Sequence, residues 1–316
     1  MKKLSSIVLA GLLLAGCAAP SEQTASPTPT TTATPSTTAE GLKILAPSGA
    51  PGYSLLPIVK EGKNDVEIVD GTQTLQAAFV SPDHEYDVIV APTNLGVKLA
   101  SAGKTTYKLA GIVTTGNLYI VSEDEDVMNT DKSIALFGEG AVPGLVYNSL
   151  FSKTNTVSTW YTSVQEAQAA LLSGQADAAL LADPAATAAI AKGKEAGKEF
   201  KKVADLQKLW GEDGYPQAGL FVEESTLDQN KDMYAALMDE MIAYTKDVKD
   251  GKADVQADLD ALNTDMFGAT SSAMVAKAYV GMGIDPMYAS DKKAELQKFL
   301  DLFAVKVNDE AIVDLH

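Results

Sequence analysis

The 316-residue chain carries 42 acidic residues against 25 basic ones, a net charge of −17, and every basic residue is a lysine. That balance argues against nucleic acid or anionic lipid as partners held by charge. A single cysteine, Cys17, leaves no internal disulfide and no cysteine-cluster metal site.

Lys2 and Lys3 precede a short apolar run, Ile7 to Ala15, and Leu14-Ala15-Gly16-Cys17 follows. An apolar core this short does not span a bilayer, so residues 1–16 read as a cleaved signal. A cysteine directly after small residues is what a lipoprotein signal peptidase requires, and Cys17 is the expected lipidation site. Residues 17–40 are dominated by Thr, Pro, Ser and Ala, with no larger apolar side chain from Pro20 onward. Such a segment buries nothing and reads as a disordered tether, reaching about 60 Å as polyproline II or about 25 Å as a coil.

From Gly41 a strand pattern at Leu42–Ala46 leads through Pro47-Ser48-Gly49-Ala50-Pro51-Gly52 into a helix over Tyr53–Val59. A strand at Val66–Val69 ends at Asp70-Gly71-Thr72, with Thr72 as N-cap of a helix running past Phe79. A third strand, Asp87–Val90, ends at Ala91-Pro92-Thr93-Asn94 before a helix through Leu99. About ninety residues later the order recurs: Ile134–Phe137, then Gly138-Glu139-Gly140 and a helix from Pro143 to Phe151, then Ser163 as cap, then Asp177–Leu181 ending near Pro184. The offsets are 92 for Pro51 and Pro143, 91 for Thr72 and Ser163, and 90 for Asp87 and Asp177. Three echoes in order predict two similar lobes, each a doubly wound, mainly parallel α/β sheet with helices on both faces. Tyr107–Ser122 leads from the first lobe to the second, and Tyr215–Val222 returns. The expected division is 41–115 with 218–316 for lobe 1 and 116–217 for lobe 2. After Glu223 the pattern is helical, over 234–248, 255–262, 272–279 and 292–303.

The segments Asp87-Val88-Ile89-Val90-Ala91-Pro92, Tyr107–Ile112, Leu171–Leu181 and Asp183-Pro184-Ala185-Ala186-Thr187-Ala188 resemble the type II periplasmic-binding-protein family. The resemblance is to its nitrate, sulfonate, taurine and thiamine-pyrimidine-precursor group, in lipoprotein form. It implies a solute-binding component of an ABC importer that closes two lobes on a small molecule and delivers it to permease and ATPase subunits. The implied protein is a monomer anchored to the extracytoplasmic face of the cell membrane through lipid on Cys17.

Ligands of parallel sheets sit beyond the carboxyl ends of the strands. That rule selects Ser48, Tyr53, Thr72, Thr93 and Asn94 from lobe 1, Glu139 and Asp183 from lobe 2, and Asn117 and Gln217 from the crossings. Tyr147, Trp160 and Tyr161 suit either an aromatic wall or the core. Only His84 and His316 are present, both reading as solvated, and no nucleophile elbow or phosphate loop occurs. No enzyme, cofactor or metal is expected. Without arginine there is no bidentate clamp for a carboxylate, so an oxyanion would need helix N-termini or a lysine such as Lys98. A neutral or heteroaromatic solute gains ground on that count. A secreted enzyme or a ligand sensor on the same fold is the alternative.

Overall fold

The computed structural model describes residues 39–262, 265–268 and 270–316. The expected leader, Cys17 and nearly all of the expected tether lie outside the described residues. Among the described residues no helix is long and apolar enough to cross a membrane.

Two sheets organise the chain. The first contains β1 (Lys43–Pro47), β2 (Asp65–Val69), β3 (Val88–Pro92), β4 (Tyr107–Thr114), β10 (Ala218–Glu223) and β11 (Ile284–Tyr288), in the order β11-β4-β10-β3-β1-β2. The second contains β5 (Leu118–Ser122), β6 (Ser133–Phe137), β7 (Val157–Tyr161), β8 (Ala178–Ala182) and β9 (Lys201–Asp205), in the order β7-β6-β8-β5-β9. Three strands in each run parallel, β2-β1-β3 and β7-β6-β8. An antiparallel strand then joins the third of these, β10 on β3 and β5 on β8. The two-lobed α/β architecture is therefore present, and the same strand order appears twice.

The sequence echo has an atomic counterpart. Asp87 Oδ2 accepts the backbone N–H of Lys43 at 2.8 Å, and Asp177 Oδ2 accepts that of Ser133 at 2.9 Å. In each lobe an aspartate opening the third strand thus clamps the start of the first. An acceptor at the strand's edge satisfies an N–H that the ladder leaves unpaired, which explains why aspartate stands at this position twice.

Helices cover both faces of each sheet: α1 (Ala50–Tyr53), α2 (Leu56–Glu61), α3 (Gln73–Val80), α4 (Thr93–Ser101), α5 (Val142–Phe151), α6 (Val164–Ser173), α7 (Ala185–Glu195), α8 (Leu206–Trp210), α9 (Leu227–Lys249), α10 (Val255–Leu262), α11 (Ser272–Ala278) and α12 (Lys293–Leu300). Continuous runs such as Val88–Ala91 and Ala178–Leu181 are buried throughout, as strands covered on both faces must be. Phe79 stands edge-on to both Tyr107 (5.7 Å) and Phe221 (5.2 Å), fixing α3 against the first sheet. Trp160 and Tyr147 pack edge to face at 6.5 Å within the core of the second lobe.

Three local readings change. The helix expected over Tyr53–Val59 is two short helices broken at Ser54 and Leu55. Pro57 lacks an N–H and its ring crowds the carbonyl four residues back, so the helix must restart. A strand, β11, interrupts the helical C-terminal portion. It contains Pro286, lies on the sheet edge against β4 alone, and shifts register between Ile284 and Met287, so its alternation is weak in sequence. His84 is more than a solvated loop residue, because its Nδ1 lies 3.1 Å from Glu223 Oε2, a carboxylate whose side chain is only 3% exposed.

Candidate functional site

The two passages between the sheets run side by side. Gln217 N–H donates to the Thr114 carbonyl and Tyr215 N–H to that of Thr115, both at 3.0 Å. Tyr215 is fully buried, stacks on Phe299 at 5.6 Å, and lies against Gly116, whose missing Cβ leaves room for the ring and whose φ of 99° also favours glycine. Beside these passages a cleft of about 500 Å³ opens between the strand ends of the two sheets. From the first sheet come Ser48, Gly49, Tyr53 and Asp70; from the second come Gln165 and Gln168 on α6, and Asp183 and Ala185 at the start of α7. Phe267, Gly268, Thr270 and Met274 close a further side.

The predicted residues divide into three groups. Ser48, Tyr53 and Asp183 line this cleft. Tyr53 is 3% exposed, stacks on Phe267 at 5.3 Å, and donates its hydroxyl to the Phe267 carbonyl at 3.2 Å; burial pushes that phenol above its ordinary pKa. Ser48 donates its hydroxyl to Asp70 Oδ1 at 2.7 Å, so the loop after β1 is tied to the loop after β2.

Asp183 is committed inside its own lobe. Its Oδ1 accepts Thr187 N–H at 3.0 Å and Thr187 Oγ1–H at 2.8 Å, capping α7, and its Oδ2 pairs with Lys202. Lys202 Nζ also lies 3.8 Å above the Tyr119 ring. With both oxygens engaged and the side chain fully buried, Asp183 shapes the wall more than it offers a free contact.

A second group, Thr93, Asn94, Asn117 and Gln217, clusters at the passages. Thr93 N–H donates to the Gln217 carbonyl at 3.0 Å, and Asn117 exchanges backbone and side-chain hydrogen bonds with Asp183. Thr93 Oγ1, Asn94 Oδ1, Asn117 Oδ1, Gln217 Oε1 and Thr114 Oγ1 are buried without a partner among the described residues. Each such atom costs about 1–3 kcal/mol unless something satisfies it, which makes this locality a candidate polar site.

The third group, Thr72 and Glu139, is exposed and outside the cleft lining. Thr72 occupies the N-cap position of α3 without a side-chain cap bond. Sequence reasoning missed Asp70, Phe267 and Met274. Asp70 ends β2 and was accessible to the strand-end rule that selected Thr72; Phe267 carries no strand or helix signal. Among the described residues no group of three or more His, Cys, Asp or Glu is placed to hold a metal ion.

Solved structures share this arrangement. A structure of an ABC transporter from Parabacteroides distasonis matches at TM-score 0.69 and 19% identity, covering 87% of this chain and 99% of that one. The chain has the periplasmic-binding-protein fold. The periplasmic aliphatic sulphonate binding protein SsuA of Escherichia coli matches at TM-score 0.63 and 14% identity over 87% of this chain and 92% of its own. The ligand-binding component of an ABC-type import system from Staphylococcus aureus, solved with zinc bound, matches at 0.58 and 13% over 87% and 97%. No protein-family model and no curated protein sequence matches the chain. At these identities the likeness bears on the periplasmic-binding-protein fold, and the resemblance read from the sequence holds at that level.

Proposed function

We propose that the chain is the solute-binding lipoprotein of an ABC-type importer, holding a small organic molecule between two closing lobes and passing it to a membrane permease. One observation carries the reading: a cleft lined from both sheets lies beside passages where buried polar side chains lack partners among the described residues. Hydrogen-bonding groups held dry and unpaired are costly, and a solute that pairs them recovers that cost on binding. In this reading residues 1–16 are removed as a signal peptide, Cys17 takes the lipid, and the segment to residue 40 tethers a monomeric body outside the cell. The lobes are residues 41–115 with 218–316, and residues 116–217. The described lining of the cleft contains no histidine, cysteine or lysine to activate a nucleophile, and its buried acid, Asp183, is spent on Thr187 and Lys202, which supports binding over turnover.

Two experiments test it. Solution scattering of the full chain with a low-molecular-weight cell extract is expected to give a smaller radius of gyration than without; an unchanged radius counts against closure. Palmitate labelling is expected in the wild type and absent from Cys17→Ala, and label retained by the variant sinks the anchor.

A further inference from the structure

The fold's neighbours include a sulphonate binding protein, yet the charges around this cleft are arranged against an anion. Asp70 and Asp183 are the charged residues of its described lining, and the chain has no arginine. Lys202, the cation against Asp183, is paired with it.

Helix N-termini are the usual arginine-free way to hold an oxyanion, and both long helices that begin at the cleft are already filled. At α7 the site belongs to Asp183, which accepts Thr187 N–H. At α6, Ser163 Oγ accepts Glu166 N–H at 3.2 Å, and the Glu166 carboxylate folds back onto Thr162 N–H (2.9 Å) and its hydroxyl (2.8 Å). Those hydrogen bonds hold the Glu166 carboxyl below its ordinary pKa, so the negative charge stays in place.

Asp70 differs from both carboxylates. Ser48 Oγ donates to its Oδ1 at 2.7 Å, while its Oδ2 has no hydrogen-bond or ion-pair partner among the described residues. The stacked rings of Tyr53 and Phe267, their planes 19° apart and only 3% and 6% exposed, form part of the same cleft wall. A carboxylate fixed by a serine beside aromatic surface is the pairing that receives a positively charged nitrogen: the carboxylate takes the N–H groups, and the rings take the apolar body and part of the charge.

Resting on the reading of the cleft as a solute site, we propose that its ligand is an organic cation, a small molecule bearing a protonated amine or amidine, with Asp70 as its counter-ion. The experiment is isothermal titration of the full chain with four probes of one shape: benzamidine, benzamide, benzoate and benzenesulfonate. Benzamidine is expected to bind about tenfold tighter than benzamide, and the two anions weaker still, as a cation placed against the Asp70 carboxylate requires. Asp70→Asn is expected to bring benzamidine and benzamide within about threefold of each other while leaving the melting temperature near that of the wild type. Benzenesulfonate binding as tightly as benzamidine overturns the proposal, as does a preference for benzamidine that survives in Asp70→Asn. Silence from all four probes also overturns the ligand class, whereas the solute-receptor reading stands or falls separately on closure with the cell extract.

Discussion

Gly281 offers the sharpest handle on the contact between the lobes. It lies in the turn Tyr279–Met282 just before β11, and its carbonyl accepts the Tyr119 hydroxyl from β5 of the other sheet at 2.7 Å. A Cβ at this glycine would overlap Asp183 Oδ2 outright and stand 2.9 Å from Lys202 Nζ and 3.3 Å from Tyr119 Oη. Lys202 is long enough to swing aside. Asp183 is not, because Thr187 N–H and Oγ1–H hold its other oxygen at 3.0 and 2.8 Å. In Gly281→Ala the strain therefore falls on the contact between the sheets, which must part to seat one methyl group. Overpacking of this kind costs about 1–3 kcal/mol. Charged to the closed arrangement alone, that is a roughly ten- to hundredfold loss of solute affinity. Titration with the solute recovered from cell extract gives the affinity, and scattering gives the lobe separation. Wild-type affinity with an unchanged radius of gyration would show that this contact does not report on closure.

Two further changes separate structural from ligand-binding roles. Asp183→Ala removes the cap of α7 and leaves Lys202 without its partner, so thermal unfolding of the solute-free protein should show a loss of about 1–3 kcal/mol; an unchanged melting curve would mean that the α7 start is held by other contacts. Asp177 Oδ2 accepts Ser133 N–H at 2.9 Å and Ser133 Oγ–H at 2.6 Å, bonds that hold its carboxyl below the ordinary value. With the folded pKa lowered, its stabilisation is fully present above the unfolded value of about 3.9 and is lost as pH falls through the folded one. Asp177 is exposed, so urea melts of Asp177→Ala should show only about 0.5–1.5 kcal/mol less stability at pH 7 and a smaller further loss than the wild type on going to pH 3; parallel losses in both proteins would remove Asp177 from the acid response.

Much of the fold was legible because it is written twice. Asp87 and Asp177 repeat an atomic task, and the strand-end prolines and capping positions repeat around them, so the recurring order, with β6 and β8 matching β1 and β3, emerged from the offsets. The edge strands β7, β9 and β11 did not, since an edge strand buries few side chains and its alternation is weak; β7 is exposed over Val157–Thr159. The site was legible where it sits at strand ends. Ser48, Tyr53 and Asp183 fall in the cleft, and Thr93, Asn94, Asn117 and Gln217 gather at the passages. Thr72 and Glu139 satisfy the same positional rule yet face outward, because the rule fixes an end of the sheet and not the direction of a loop. Phe267 reaches the cleft from a segment 214 residues beyond its partner Tyr53, a pairing that only the tertiary fold supplies.

The central claim is that a solute occupies the space between the lobes and is held by the polar groups at the passages. Native mass spectrometry of the full chain, equilibrated with low-molecular-weight cell extract, measures this directly. One small molecule per chain is predicted in the wild type, with its occupancy sharply reduced in both Asn94→Ala and Gly281→Ala. A bare wild-type chain, or an adduct that both variants retain at full occupancy, would contradict it.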